Sequence, residues 1–151
     1  MHQDSGQIRL RVDIVGPSNL FTLLQTIPAL LGKRRAAQGG VALTYVDAIK
    51  KPLLIGQGTN DLRVNVRESD QIVAAMKTKG IPVTYVLFPD EGHGFAQPVN
   101  SIAFNAVTEN FLKPCLGGRA EAIGDATKGS SIKVPDGATN VPGLEAALGS
   151  K

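Results

Sequence analysis

No apolar run in this sequence approaches the roughly twenty residues needed to cross a bilayer, and the opening MHQDSGQIRL lacks the apolar core of a signal peptide. A soluble chain with no export address is expected. Cysteine is almost absent: Cys115 stands alone, which excludes an intrachain disulfide. It follows Pro114 at the end of an amphipathic stretch, so it reads as a buried or half-buried structural thiol rather than a nucleophile. Aromatics are sparse at 5%, and none interleave the one dense basic cluster, Lys33-Arg34-Arg35. The net charge of +3 therefore does not signal a nucleic-acid surface. The sequence has no internal repeat. It also lacks Gly-x-Ser-x-Gly, the mark of a serine on a sharp strand-to-helix turn.

What remains is an ordinary globular composition. A chain of 151 residues, 42% hydrophobic and 19% charged, has the length of one domain and can bury a core. Ile8, Leu10, Val12 and Ile14 alternate with polar residues as in a strand. Ser18-Asn19 can cap a helix carrying Leu20, Leu23, Leu24, Ile27 and Leu31, which Pro28 should kink or end. Gly32 to Asp47 reads as a basic loop, with a turn of helix near Tyr45. Leu53-Leu54-Ile55 suits a strand buried on both faces. Asn65 with Glu68 resembles a capping box ahead of a helix that turns Ile72, Val73 and Met76 inward and stops at Gly80. Pro82 to Phe88 forms the third strand. A last helix, from about Asn100 to Leu112, carries Ile102, Ala103, Ala106, Val107 and Phe111 on one side. Strand and helix alternate, which implies parallel strands.

Two segments carry chemistry. Gly56-Gln57-Gly58-Thr59-Asn60-Asp61 and Asp90-Glu91-Gly92-His93-Gly94-Phe95 each follow an apolar run that ends in glycine. An acid and an imidazole are thereby presented at the C-terminal ends of strands, where open α/β sheets bind and react. A carboxylate that holds one imidazole nitrogen leaves the other to act as general base for a hydroxyl. Each residue also has a plainer reading, Asp61 as a turn carboxylate and His93 as a loop residue between glycines. Ser18, in Gly16-Pro17-Ser18-Asn19-Leu20, lies where an elbow nucleophile would, but Leu20 occupies a position that wants a small residue, so a capping hydroxyl competes with that role. Ser5 is a weaker nucleophile candidate. Arg63 could bind a substrate carboxylate or be simply solvated or ion-paired. Asp90 and Glu91 are adjacent on one short loop and do not converge on an ion. No metal or other cofactor is expected.

The segments VDIVGPSNLFTLL, KPLLIGQGTNDLRV and ESDQIVAAMKTKGIPVTYVLFPDEGHGF together resemble the C-terminal catalytic domain of the prolyl oligopeptidase family, in its dipeptidyl and acylaminoacyl peptidase branch. The likeness runs from about Val12 into the tail and is most specific across Lys50 to Gly117. It implies the C-terminal half of an α/β-hydrolase fold, with Asp61 as the acid and His93 as the base of a Ser-Asp-His triad. Family members hydrolyse short peptides, and many relatives on the fold cleave esters. The family's serine elbow lies upstream of the VDIVGPSNL match, where this chain has MHQDSGQIRLR.

The resulting expectation is a partial α/β-hydrolase domain over residues 1–116, with about three parallel strands and flanking helices. Residues 117–151 form an irregular Gly/Ala/Ser/Pro-rich tail on the same domain, with a last short helix at Leu144–Leu148. The chain is expected to be a serine peptidase-type hydrolase of short peptides or small esters. The alternatives are a catalytically incomplete fragment and a small open-site esterase. A further copy or a partner is expected to cover the open sheet edge, with neither nucleic acid nor membrane involved.

Overall fold

The computed structural model describes Val46 and residues 49–149. Its elements run β1 (Leu53–Gly58), α1 (Val66–Thr78), β2 (Val83–Phe88), α2 (Pro98–Leu116), a 3-10 turn at Gly124–Thr127, β3 (Lys133–Asp136), a second 3-10 turn at Ala138–Asn140, and α3 (Leu144–Gly149). The strand expected at Ile8–Ile14, the helix expected from Ser18 and, Val46 apart, the loop Gly32 to Asp47 lie outside the described residues.

β1 and β2 lie side by side, parallel and in step, from Leu53 opposite Val83 to Gly58 opposite Phe88. Both are apolar along most of their length because both faces of the pair are covered. Side chains alternate between the faces. Ile55, Val83 and Tyr85 pack with Ile72, Val73 and Met76 of α1. Leu54, Val86 and Phe88 pack with Ala103, Phe104 and Val107 of α2.

α1 begins and ends for local reasons. The Asn65 side chain accepts the Arg67 N–H at 2.9 Å, satisfying a donor that has no partner inside the helix. At the other end, Gly80 N–H donates to the Lys77 carbonyl and Ile81 N–H to the Met76 carbonyl, each at 3.0 Å. This Schellman closure places Gly80 at φ 66°, a conformation that favours glycine, and returns the chain to β2.

α2 departs from its expected pattern. It is longer, and its inward face is Asn100, Ala103, Phe104, Val107 and Asn110, while Ile102 is 57% exposed. A hydrophobic stripe could not reveal two buried asparagines. Both are satisfied: Asn110 donates to the Ala106 and Glu121 carbonyls, and Asn100 to Glu91. The helix also overruns the core, so Cys115 is exposed rather than buried.

The C-terminal segment has the short helix expected from Leu144, but ahead of it the chain forms defined elements rather than an irregular tail. β3 pairs antiparallel with β2, Tyr85 opposite Asp136 and Leu87 opposite Lys133, giving a mixed sheet in the order β1-β2-β3. Pro135 has no N–H to donate and suits an edge strand, so a short ladder survives in a sequence that reads as loop. Ile123, Ile132, Val141, Leu144 and Ala147 of this segment join the core on the α2 face. No helix among the described residues is long and apolar enough to cross a membrane.

Candidate active site

Because β1 and β2 run parallel and in step, the chain leaves both at the same edge of the sheet. The two departing loops are then laced together. Thr59 N–H donates to the Phe88 carbonyl at 3.0 Å and Asn60 N–H to the Glu91 carbonyl at 2.9 Å. The Asn60 side chain donates to the Pro89 carbonyl at 3.0 Å. Gly58 makes this approach possible, because a Cβ there would lie 2.2 Å from the Gly92 carbonyl oxygen and 2.6 Å from that of Glu91. Backbone atoms cannot rotate away as a side chain can, so only glycine fits.

The lacing brings Asp61 and His93, 32 residues apart in sequence, to 2.9 Å between Oδ2 and Nδ1. The other carboxylate oxygen, Oδ1, accepts the Arg63 N–H at 2.7 Å and the Val64 N–H at 2.9 Å. Asp61 is thus both the turn carboxylate of the plainer reading and a partner of the imidazole. Its side chain is fully buried, while that of His93 is 24% exposed. Burial is the largest influence on the Asp61 carboxyl and pushes its pKa up. The Val64 N–H, the His93 ring and the Arg63 N–H together outweigh it, so the pKa lies below the ordinary carboxylate value. An ionised carboxylate only accepts hydrogen bonds, so Nδ1 donates in this contact, and in the neutral ring Nε2 is then the nitrogen with the lone pair.

Several residues that pattern reasoning passed over build this site. Gln57, buried on β1, donates to the carbonyls of Gly58 and Val64 at 2.9 and 3.1 Å and accepts the Ser69 hydroxyl at 2.9 Å. It ties both ends of the acid loop to α1. Phe95 packs against Phe88 and Phe104, with ring centroids 4.5 and 5.1 Å away, and anchors the far side of the histidine loop. A polar residue inside an apolar strand was the available signal for Gln57. Of the other residues weighed from sequence, Arg63 is exposed, and Ser18 and Ser5 lie outside the described residues. Asp90 accepts hydrogen bonds from Ser131, Gln97 and Asn100, and these hold its pKa low.

The low pKa of Asp61 has a consequence for stability. The unfolded chain binds more protons in acid, so the carboxylate's contribution is present above about pH 4, the ordinary aspartate value. It is lost as pH falls through the folded-state value. Asp61→Asn is expected to flatten the acid limb of a urea-midpoint series and to cost on the order of 1 kcal/mol at neutral pH. An acid limb as steep as that of the unsubstituted chain would contradict the described environment.

Comparison with known proteins gives the family. A model described as the prolyl oligopeptidase family matches residues 35–119. The chain is 60% identical to dipeptidyl aminopeptidase BIII of Pseudoxanthomonas mexicana, over 91% of this chain and 22% of that protein. It is 44% identical to dipeptidyl peptidase family member 6 of Caenorhabditis elegans, over 73% of this chain and 17% of that protein. An acylamino-acid-releasing enzyme of Arabidopsis thaliana is 36% identical over 37% of this chain and 7% of its own length. The chain thus spans about a fifth of the length of the first two relatives. From the family match and the identity to these relatives, the chain belongs to the prolyl oligopeptidase family, whose catalytic domains have the α/β-hydrolase fold.

Proposed function

We propose that Asp61 and His93 are the acid and the general base of a serine hydrolase acting on short peptides or small esters. The observation that carries the reading is the 2.9 Å contact between Asp61 Oδ2 and His93 Nδ1, made from a buried carboxylate to a ring that retains access to solvent. The names of the relatives, a dipeptidyl aminopeptidase and an acylamino-acid-releasing enzyme, favour a peptide substrate.

The chemistry follows from the tautomer. Nε2 of His93 takes the proton from a serine hydroxyl as its oxygen attacks the substrate carbonyl, and Asp61 stabilises the imidazolium that forms. The imidazolium then gives this proton to the departing amine or alkoxide, leaving an acyl-serine. Water repeats the sequence, with His93 again as base, and releases the acid and the free serine. Within the given sequence the candidate serine is Ser18, in an atypical elbow.

A partner is proposed on separate grounds. Ile55, Gly56, Gln57 and Gly58 are all buried, as expected of an interior strand, yet β2 is the only strand paired with β1 among the described residues. Another strand accounts for this, either the one expected at Ile8–Ile14, which lies outside the described residues, or one from a second copy or a partner that completes the sheet. The second reading, a domain that is inactive until so completed, rests on the same observation.

His93→Ala is expected to slow fluorophosphonate labelling or p-nitrophenyl acetate turnover by on the order of 10⁴. Turnover that survives the substitution would assign the chemistry to other groups. Labelling lost in Ser18→Ala would put the nucleophile within this chain. For the partner, light scattering at tens of micromolar is expected to report a dimer or larger species. A stable, well-behaved monomer would count against it.

A further inference from the structure

We propose that Glu91 is a positioning residue for His93, its carboxylate acting as a staple that closes the histidine loop and aims the ring at Asp61. This rests on the reading of Asp61 and His93 as a proton-handling pair and extends it to the group that holds the base in place.

The loop has little of its own with which to hold the ring. His93 sits between Gly92 and Gly94, and Gly94 has φ 98°, so the residues flanking the ring have no side chains of their own with which to anchor it. A Gly-His-Gly tip left to itself samples many conformations, and an imidazole on it would spend little time at hydrogen-bonding distance from Asp61. Glu91, two residues before the ring, supplies the missing constraint. Its side chain turns inward and is almost completely buried. Oε2 accepts the Ala96 N–H at 2.9 Å. Oε1 accepts the Gln97 N–H at 2.9 Å and the Asn100 amide at 2.8 Å. One carboxylate therefore ties a residue before the ring to backbone groups three and four residues after it. Its own carbonyl meanwhile accepts the Asn60 N–H from the acid loop at 2.9 Å. Glu91 thus connects the acid loop, the histidine loop and the start of α2.

The donor set suits an anion. Ala96 and Gln97 offer backbone N–H groups at the entry to α2, and a buried carboxylate persists only where its oxygens are satisfied in this way. Asn100 is in turn fixed, since its Oδ1 accepts the Ser131 N–H at 3.0 Å. The C-terminal segment thereby supports the staple from behind. Glutamine at position 91 has nearly the same shape but presents an NH₂ group to at least one N–H donor, which opens the ring of contacts.

The test is a long-range proton–nitrogen NMR spectrum of the whole ¹⁵N-labelled chain, at a pH where the ring is neutral, which reports the nitrogen that carries the His93 proton. The unsubstituted chain is expected to show mostly the Nδ1–H tautomer, and Asp61→Asn is expected to lose that preference. Glu91→Gln is expected to remain folded by circular dichroism while His93 shifts to a majority of Nε2–H. Glu91→Asp, one methylene shorter, tests the same loss with the charge retained. An Nδ1–H preference that survives in both folded variants overturns the inference and leaves the Asp61–His93 pair standing. Failure of both variants to fold also overturns it, because Glu91 would then hold the domain rather than the ring. Absence of the preference in the unsubstituted chain would instead remove the pair, and the proposed function with it.

Discussion

The in-step parallel pairing of β1 with β2 is the constraint on which the site depends. It delivers two loops to one edge of the sheet, and the hydrogen bonds from Thr59 and Asn60 to the Phe88 and Glu91 carbonyls hold them in contact. A slip of one residue would turn every side chain of a strand to the opposite face. Leu54 would leave the α2 core and Ile55 the α1 core, so the burial of both faces enforces the register that places Asp61 opposite His93.

The electrostatics follow from the same geometry. A carboxylate taken out of water loses hydration worth several kcal/mol unless the protein replaces it. For Asp61 the replacement comes from two backbone N–H groups and one imidazole, and for Glu91 from two backbone N–H groups and one amide. Both acids use loop or helix-start donors that no ladder employs. The Asp61 carboxylate remains ionised through the neutral range, so it holds the imidazole through a proton on Nδ1.

Much of this was legible in the residues. The apolar runs at Leu53 and Val83, the Asn65 cap, the Gly80 stop and the inward triad of Ile72, Val73 and Met76 are local signals, and local structure follows them. Asp61 and His93 stood out because each lies in a glycine-bearing segment just after an apolar run, and the structure places them in contact. The polar scaffold was not legible. Gln57, Glu91 and Asn100 read as surface residues by type, and only tertiary contact explains why burying them is tolerated. β3 was hidden for a related reason, since Lys-Val-Pro-Asp has neither alternation nor length, and its pairing depends on the neighbouring strand more than on its own composition.

The central claim is that Asp61 and His93 interact energetically, beyond mere proximity. A double-mutant cycle on Asp61→Ala and His93→Ala, read by urea unfolding at neutral pH, measures that interaction directly because the costs of each truncation cancel. A coupling on the order of 1–3 kcal/mol is expected. Additive effects, within about 0.5 kcal/mol, would contradict it.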